Sequence, residues 1–232
     1  MSEQSAAKGV KETVKAGITC PKCGKQSEFD MWISINTQLH PEMKQAVRDR
    51  SAFVFTCPEC GEKTPVDYGF LYQDPEDKIM IQYVTDDAQA QKVHDMLTAD
   101  GNERVRNIRN AGYLIRLVRS AAEMADKLAV FDAQMDDRIV EVYKLSALSA
   151  LRRDHPDLDP SQCEFVFYTE ESGEHMLQIM NGGEPFGAIK VNMDAYRSME
   201  NDFIGILADM QYEDPVVDRK MALELIKILG EQ

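Results

Sequence analysis

Thr19-Cys20-Pro21-Lys22-Cys23-Gly24 and Thr56-Cys57-Pro58-Glu59-Cys60-Gly61 are one phrase written twice, with 33 residues between Cys23 and Cys57. Two residues between cysteines let one tight turn aim both sulfurs at a single ion. Proline fixes φ at the first inner position. Glycine after the second cysteine lets the chain turn away while amide N–H groups face the sulfurs. Four thiolates close a tetrahedral site around Zn²⁺ with no position open to water, which is the structural type. Cys20, Cys23, Cys57 and Cys60 are therefore candidate ligands of one structural Zn²⁺. Lys22, Lys25 and Lys63 lie close in sequence to screen the negative charge left over. Iron suits the same S₄ donor set. A redox CxxC pair needs a βαβ setting and a helix N-terminus, whereas both knuckles here lie between strand signals.

Outward from the knuckles, residues 1–16 are polar and read as a tail. Glu28 to Asn36 partly alternates apolar and polar residues, as a strand does. Pro41 to Arg50 reads as a short helix with Pro at its first position, and His40 before it as a cap. Ala52–Thr56, Glu62–Tyr68, Lys78–Val84 and Tyr113–Val118 read as strands. Asp86 and Asp87 open a helix that Gly101 stops. Ser120 and Glu123 form a capping box for a helix to about Phe131, and Asp136 to Arg153 has helical apolar spacing. Asp154-His-Pro-Asp-Leu-Asp-Pro160 marks a boundary. Beyond it, Glu164–Thr169, His175–Met180 and Phe186–Val191 read as strands around the Asn181-Gly182 turn. Helices over about 194–209 and 218–229 follow. The expected organisation is a tail (1–16), a ribbon with helices (17–153) and a C-terminal α+β part (161–232).

The 26 Lys+Arg against 40 Asp+Glu leave a net charge of −14. Such a balance disfavours nucleic acid and anionic membrane, both of which need excess basic residues. Residues 1–85 carry 10 basic and 12 acidic side chains, so −12 of the −14 belongs to residues 86–232. There is no apolar run of about 18 residues to span a membrane and no secretory leader pattern at the N-terminus. Paired cysteines without a secretory signal fit a reducing cytoplasm.

Other chemistry is sparse. No two histidines stand four apart, and G-x-S-x-G, G-x-x-x-x-G-K-[ST] and G-x-G-x-x-G are absent. His94, His155 and His175 are scattered. Cys163 reads as a plain buried or half-buried thiol, since acidic neighbours do not favour a nucleophilic thiolate. Arg104, Arg106, Arg109, Arg116 and Arg119 are the basic concentration that would serve a nucleic-acid partner, or else pair with acids of neighbouring helices.

The residues also resemble the CpXC family, a zinc-ribbon-like group named for its C-P-x-C pairs. The likeness lies in Trp32-Ile-Ser-Ile-Asn36, in Ala52-Phe-Val-Phe-Thr-Cys57-Pro-Glu-Cys-Gly61, and in Tyr68-Gly-Phe-Leu-Tyr-Gln-Asp-Pro75, where Gln73 replaces a frequent histidine. It continues through Leu117-Val-Arg-Ser120 and Asp136-Asp-Arg-Ile139 with Glu141 and Lys144, so it covers about residues 16–150. The resemblance implies that the four cysteines are metal ligands and brings no reaction with it. The expectation is an α+β chain: an N-terminal zinc ribbon packed with helices, then a small β-meander with two helices. Its expected role is that of a non-enzymatic cytoplasmic zinc protein that binds protein. The alternatives are a nucleic-acid or ribonucleoprotein binder and an enzyme with a site between ribbon and helices.

Overall fold

The computed structural model describes residues 12–209 and 214–231. In chain order its N-terminal part holds β1 (Thr13–Thr19), β2 (Gln26–Trp32), β3 (Ser34–Asn36), α1 (Glu42–Arg48), β4 (Val54–Thr56) and β5 (Lys63–Pro65). β1 and β2 form one antiparallel hairpin, β4 and β5 another. Thr19 sits opposite Gln26 in the first, and Thr56 opposite Lys63 in the second. The two cysteine turns thus close hairpins of identical loop length.

β1 departs from the expected tail: residues 1–11 of that stretch lie outside the described residues, but residues 13–16 are strand. Thr13-Val14-Lys15-Ala16 has weak alternation of its own, and β2 supplies the edge that makes it a strand. The single strand expected over 28–36 is two. The break falls at Ile33, whose N–H donates to the Glu12 carbonyl. β2 belongs to the first hairpin, and β3 crosses into another sheet.

That sheet contains β6 (Phe70–Asp74), β7 (Ile79–Tyr83) and β8 (Leu114–Val118), in the order β3-β6-β7-β8. β3 and β6 are parallel, β6 and β7 antiparallel, β7 and β8 parallel. β6 was not anticipated as a strand; the expected strand over 62–68 contracts to Lys63–Pro65. Between β7 and β8 run α2 (Asp87–Thr98) and α3 (Glu103–Asn110). α3 is unanticipated too, and is capped by Asn102, whose side chain accepts from the Val105 N–H.

Period-two alternation divides the sheet between two cores. Ile79, Ile81, Tyr83 and Val118 face α1 and the next helix, α4 (Ala121–Asp132). Met80, Ile115 and Leu117 face α2 and α3. Strands covered on both faces are the ones with near-continuous apolar runs.

α5 (Asp137–Asp154) leads to β9 (Cys163–Thr169), β10 (His175–Asn181) and β11 (Glu184–Lys190), an antiparallel meander. Its turn holds Gly182 and Gly183, both at positive φ, as a tight two-residue hairpin loop requires. α6 (Met193–Asp209) and α7 (Arg219–Gly230) close the chain. Ile139, Val142 and Leu148 of α5 share one core with Phe167, Leu177 and Leu225. Apolar packing therefore runs across residues 154–160. None of the described helices is long and apolar enough to cross a membrane.

Candidate functional site

The two knuckles repeat each other atom for atom in their backbone bonding. Cys20 N–H donates to Lys25 O at 2.9 Å and Gly24 N–H to Cys20 O at 3.0 Å; Cys57 N–H donates to Glu62 O at 2.8 Å and Gly61 N–H to Cys57 O at 2.9 Å. Gly24 and Gly61 both have φ of +72°, where a Cβ is strained. Beneath the turns, Cys20, Phe55 and Cys57 are buried with Ile18, Phe29 and Val66 packed against them. Ile18 and Phe55 stand two residues before their knuckles, and Phe29 and Val66 occupy equivalent places in the returning chain. The repeat therefore extends beyond the cysteines into their apolar floor.

The four Sγ atoms lie within 4.8 Å of one another. Cys20 Sγ is 3.6 Å from Cys60 Sγ, and Cys23 Sγ is 3.7 Å from Cys57 Sγ. A tetrahedron of sulfurs about 2.3 Å from a zinc ion has edges of about 3.8 Å, so the donor set fits a tetrahedral metal ion. All five cysteines of the chain are free. Cys57 is held down to about 7, first by the N–H of Cys60. At Cys60 the Glu62 N–H favours the thiolate, but burial and the three neighbouring sulfurs outweigh it and push the pKa up to about 12. At Cys23 the Lys25 N–H and Cys60 favour the thiolate, but burial, Cys20 and Cys57 outweigh them and raise the pKa. Four thiolates this close need a cation among them. Lys22, 3.1 Å from Glu62 and adjacent to the sulfurs, supplies part of the outer positive charge.

A protein-family model described as CpXC protein matches residues 18–144, more than half of the chain. The chain belongs to the CpXC family. No curated protein and no solved structure matches it. In this CpXC protein the stretch Leu71-Tyr72-Gln73-Asp74 has a structural reason. The Tyr72 hydroxyl is buried, donates to Asp74 at 3.2 Å and accepts from Arg48 at 3.0 Å. Arg48 also grips Asp132 with two bonds of 2.6 and 2.7 Å, and Lys44 lies 3.0 Å from Asp74. These bonds pin α1 to β6 and α4. Gln73 donates to Ser34 Oγ at 3.2 Å across the parallel β3–β6 pair.

The remaining candidates separate in space. His40 is not the cap of α1: Pro41, expected as the first helical residue, takes the cap position before Glu42, and no side chain caps the helix. Its Nε2 lies 2.5 Å from Glu12, and its ring meets Trp32 edge-on at 4.8 Å. His94 lies 3.2 Å from Asp214, His155 packs edge-on against Phe186, and His175 bonds Thr169. Cys163 is buried, its sulfur 3.5 Å from the Asp159 carbonyl. The arginine group is not one surface. Arg116 is 1% exposed and makes two bonds to Asp137, of 2.7 and 2.8 Å. Arg119 binds the Val84 carbonyl and Asp87. Arg106 lies 3.6 Å from Glu103, and Arg104 is exposed.

Arg116 opens a buried network that the sequence does not announce. Lys127 lies 3.3 Å from Asp137 and 3.3 Å from Glu141. Lys144 lies 2.8 Å from Glu141 and 2.7 Å from Asp126. Asp126 also accepts the Phe167 N–H at 2.6 Å, satisfying an amide of β9, the edge strand of its sheet. Burial opposes the charge on Asp137, but Arg116 and then Lys127 hold its carboxyl well below the usual range. Burial likewise opposes the charge on Glu141 and Lys144. Lys144 and Lys127 leave Glu141 below its ordinary value, and Asp126 and Glu141 leave Lys144 above its own. One signal lay in the sequence: Asp137, Glu141, Lys144 and Leu148 fall on one helical stripe, so three charges stand where α5 turns inward.

Proposed function

We propose that this CpXC protein holds one structural Zn²⁺ through Cys20, Cys23, Cys57 and Cys60. The ion ties the β1–β2 and β4–β5 hairpins into a zinc ribbon. The observation that carries this reading is the match between the 3.6 and 3.7 Å sulfur separations and the edge of a zinc–thiolate tetrahedron. With four sulfurs engaged, no coordination position remains for water or substrate, so the ion serves architecture rather than catalysis. The ribbon hairpins are short, and the apolar floor beneath them holds only three buried residues. The metal would supply much of their stability, since structural zinc contributes about 10–16 kcal/mol of apparent binding free energy in finger peptides.

The chain acts, in this reading, as a cytoplasmic, non-enzymatic module that binds another protein. The dispersal of the arginines supports a protein over a nucleic-acid partner. Arg116 is buried, Arg119 is engaged with Asp87, and the chain carries −14. The test is metal analysis of the purified full chain, together with Cys57→Ser. One zinc per chain is expected, with the zinc lost and the hairpins unfolded in Cys57→Ser. A full chain whose near-ultraviolet and NMR signatures stay the same after chelation contradicts a structural ion. Affinity capture from the native host, compared with nucleic-acid binding in a salt series, separates the partner classes.

A further inference from the structure

A cleft of about 390 Å³ opens between α4, α5, β9 and the residues leading into α7. This is near the small end of the range of about 300–1,000 Å³ that small-molecule sites span. None of its lining residues belongs to the cysteine cluster or its apolar floor. Its charged side is the ion network: Lys127, Glu141 and Lys144.

An ammonium has three N–H groups. Lys144 directs two of them at Asp126 and Glu141, and Lys127 directs two at Asp137 and Glu141. One N–H is left on each. Both lysines converge on the same oxygen, Oε1 of Glu141. Its Oε2 takes no hydrogen bond among the described residues and is not among the buried unsatisfied atoms, so it is not sealed off, and Glu141 lines the cleft. The three side chains together present two donors and one charged acceptor in a setting that solvent barely reaches.

The rest of the lining decides what complements them. With those three included, the lining carries four cationic and five anionic side chains, so neither a lone anion nor a lone cation gains much from it. A molecule bearing both signs gains from each. Leu117, Leu145, Phe165 and Val217 supply apolar wall. Arg219 bonds the Pro160 and Cys163 carbonyls and so stiffens the side formed by β9 and the approach to α7.

We propose that the cleft binds a small zwitterion with an apolar side chain, of the class of free aliphatic amino acids. Its carboxylate takes the spare N–H groups of Lys127 and Lys144, its ammonium meets Oε2 of Glu141, and its side chain lies on the apolar wall. The site stands independently of the metal and makes the chain a ligand-responsive protein.

The experiment is calorimetric titration of the full-length, metal-loaded protein with L-leucine, with 4-methylpentanoate, which lacks the ammonium, and with 3-methylbutylamine, which lacks the carboxylate. Leucine is expected to bind and each truncated analogue to bind at least about tenfold more weakly, a difference of about 1.4 kcal/mol or more. Ala122→Phe, which fills the cleft from a half-buried wall position without touching the ion network, is expected to abolish leucine binding with an unchanged far-ultraviolet spectrum. Glu141→Gln is expected to weaken leucine at least about tenfold and the carboxylate analogue less. Absence of leucine binding up to about 10 mM in the wild-type protein overturns the proposal. So does equal binding of either analogue, or full binding by folded Ala122→Phe. The wild-type comparison decides the matter even if a variant does not fold.

Discussion

Asp137 is the residue on which the buried charges depend most. It is 1% exposed and faces Arg116 and Lys127 together. Asp137→Asn keeps the shape and removes the buried carboxylate that Arg116 and Lys127 share, while Lys127 keeps Glu141 at 3.3 Å. Breaking a buried pair in this way costs about 3–5 kcal/mol. The pH dependence follows from the direction of the shift. A carboxyl whose pKa is lower folded than unfolded stabilises the fold above its unfolded value of about 3.9, and that stability is lost as pH falls below it. The difference between wild type and Asp137→Asn in urea denaturation is therefore expected to be largest near pH 7 and to shrink from about pH 5 downward. Acid effects on the cysteine cluster are common to both proteins and drop out of that difference. A gap that stays constant down to pH 3 counts against the assigned role.

At the scale of elements, α4 is the helix that both halves share. Met124 and Leu128 pack under the central sheet, while Val130 enters the C-terminal core. Its start is set by Ser120, whose Oγ accepts the Glu123 N–H at 3.0 Å. Glu123 reaches back as a capping box requires, though its carboxylate takes the N–H of Arg119 rather than of Ser120, at 2.6 Å. Ser120→Ala is expected to lower stability by about 1 kcal/mol. The denaturation midpoint should fall with an unchanged slope, because the surface exposed on unfolding stays the same. A change of slope instead would show that α4 frays separately from the sheets it joins.

For the whole molecule, the question is where the chain divides. The proline-rich and acidic stretch 154–160 marks a boundary in sequence, yet α5 before it buries Ile139, Val142 and Leu148 against elements that follow it. Asp126 of α4 also holds the Phe167 amide across the same point. A chain ending after Asp154 would expose that apolar face and leave the Asp126 carboxylate with Lys144 alone. Such a fragment is expected to lack a cooperative thermal transition and to aggregate at concentrations where the full chain is monodisperse. A dispersed NMR spectrum and a sharp transition from the fragment would establish the boundary as a true domain limit.

The sequence by itself determined what is local. Each knuckle is six residues long, and Pro at the first inner position with Gly at positive φ dictates its turn wherever it is placed. The helix caps at Asp86, Ser120, Asp136 and Asp218 each depend on an N–H two or three residues away. The family likeness and the α+β class rest on the same local patterns. Only the tertiary structure decided the rest. β1 and β6 are strands through the partners they pair with, β2 for β1, and β7 and the more distant β3 for β6, and pairing energy leaves little trace in Thr13–Ala16 or in Phe70–Asp74. α3 has few apolar residues, and its Val105 and Ile108 give it a reason to dock only once the sheet behind them exists. The ion network joins residues of β8, α4, α5 and β9. A charged side chain reads as solvent-facing until a partner of opposite sign is brought beside it, and long-range folding alone brings that partner.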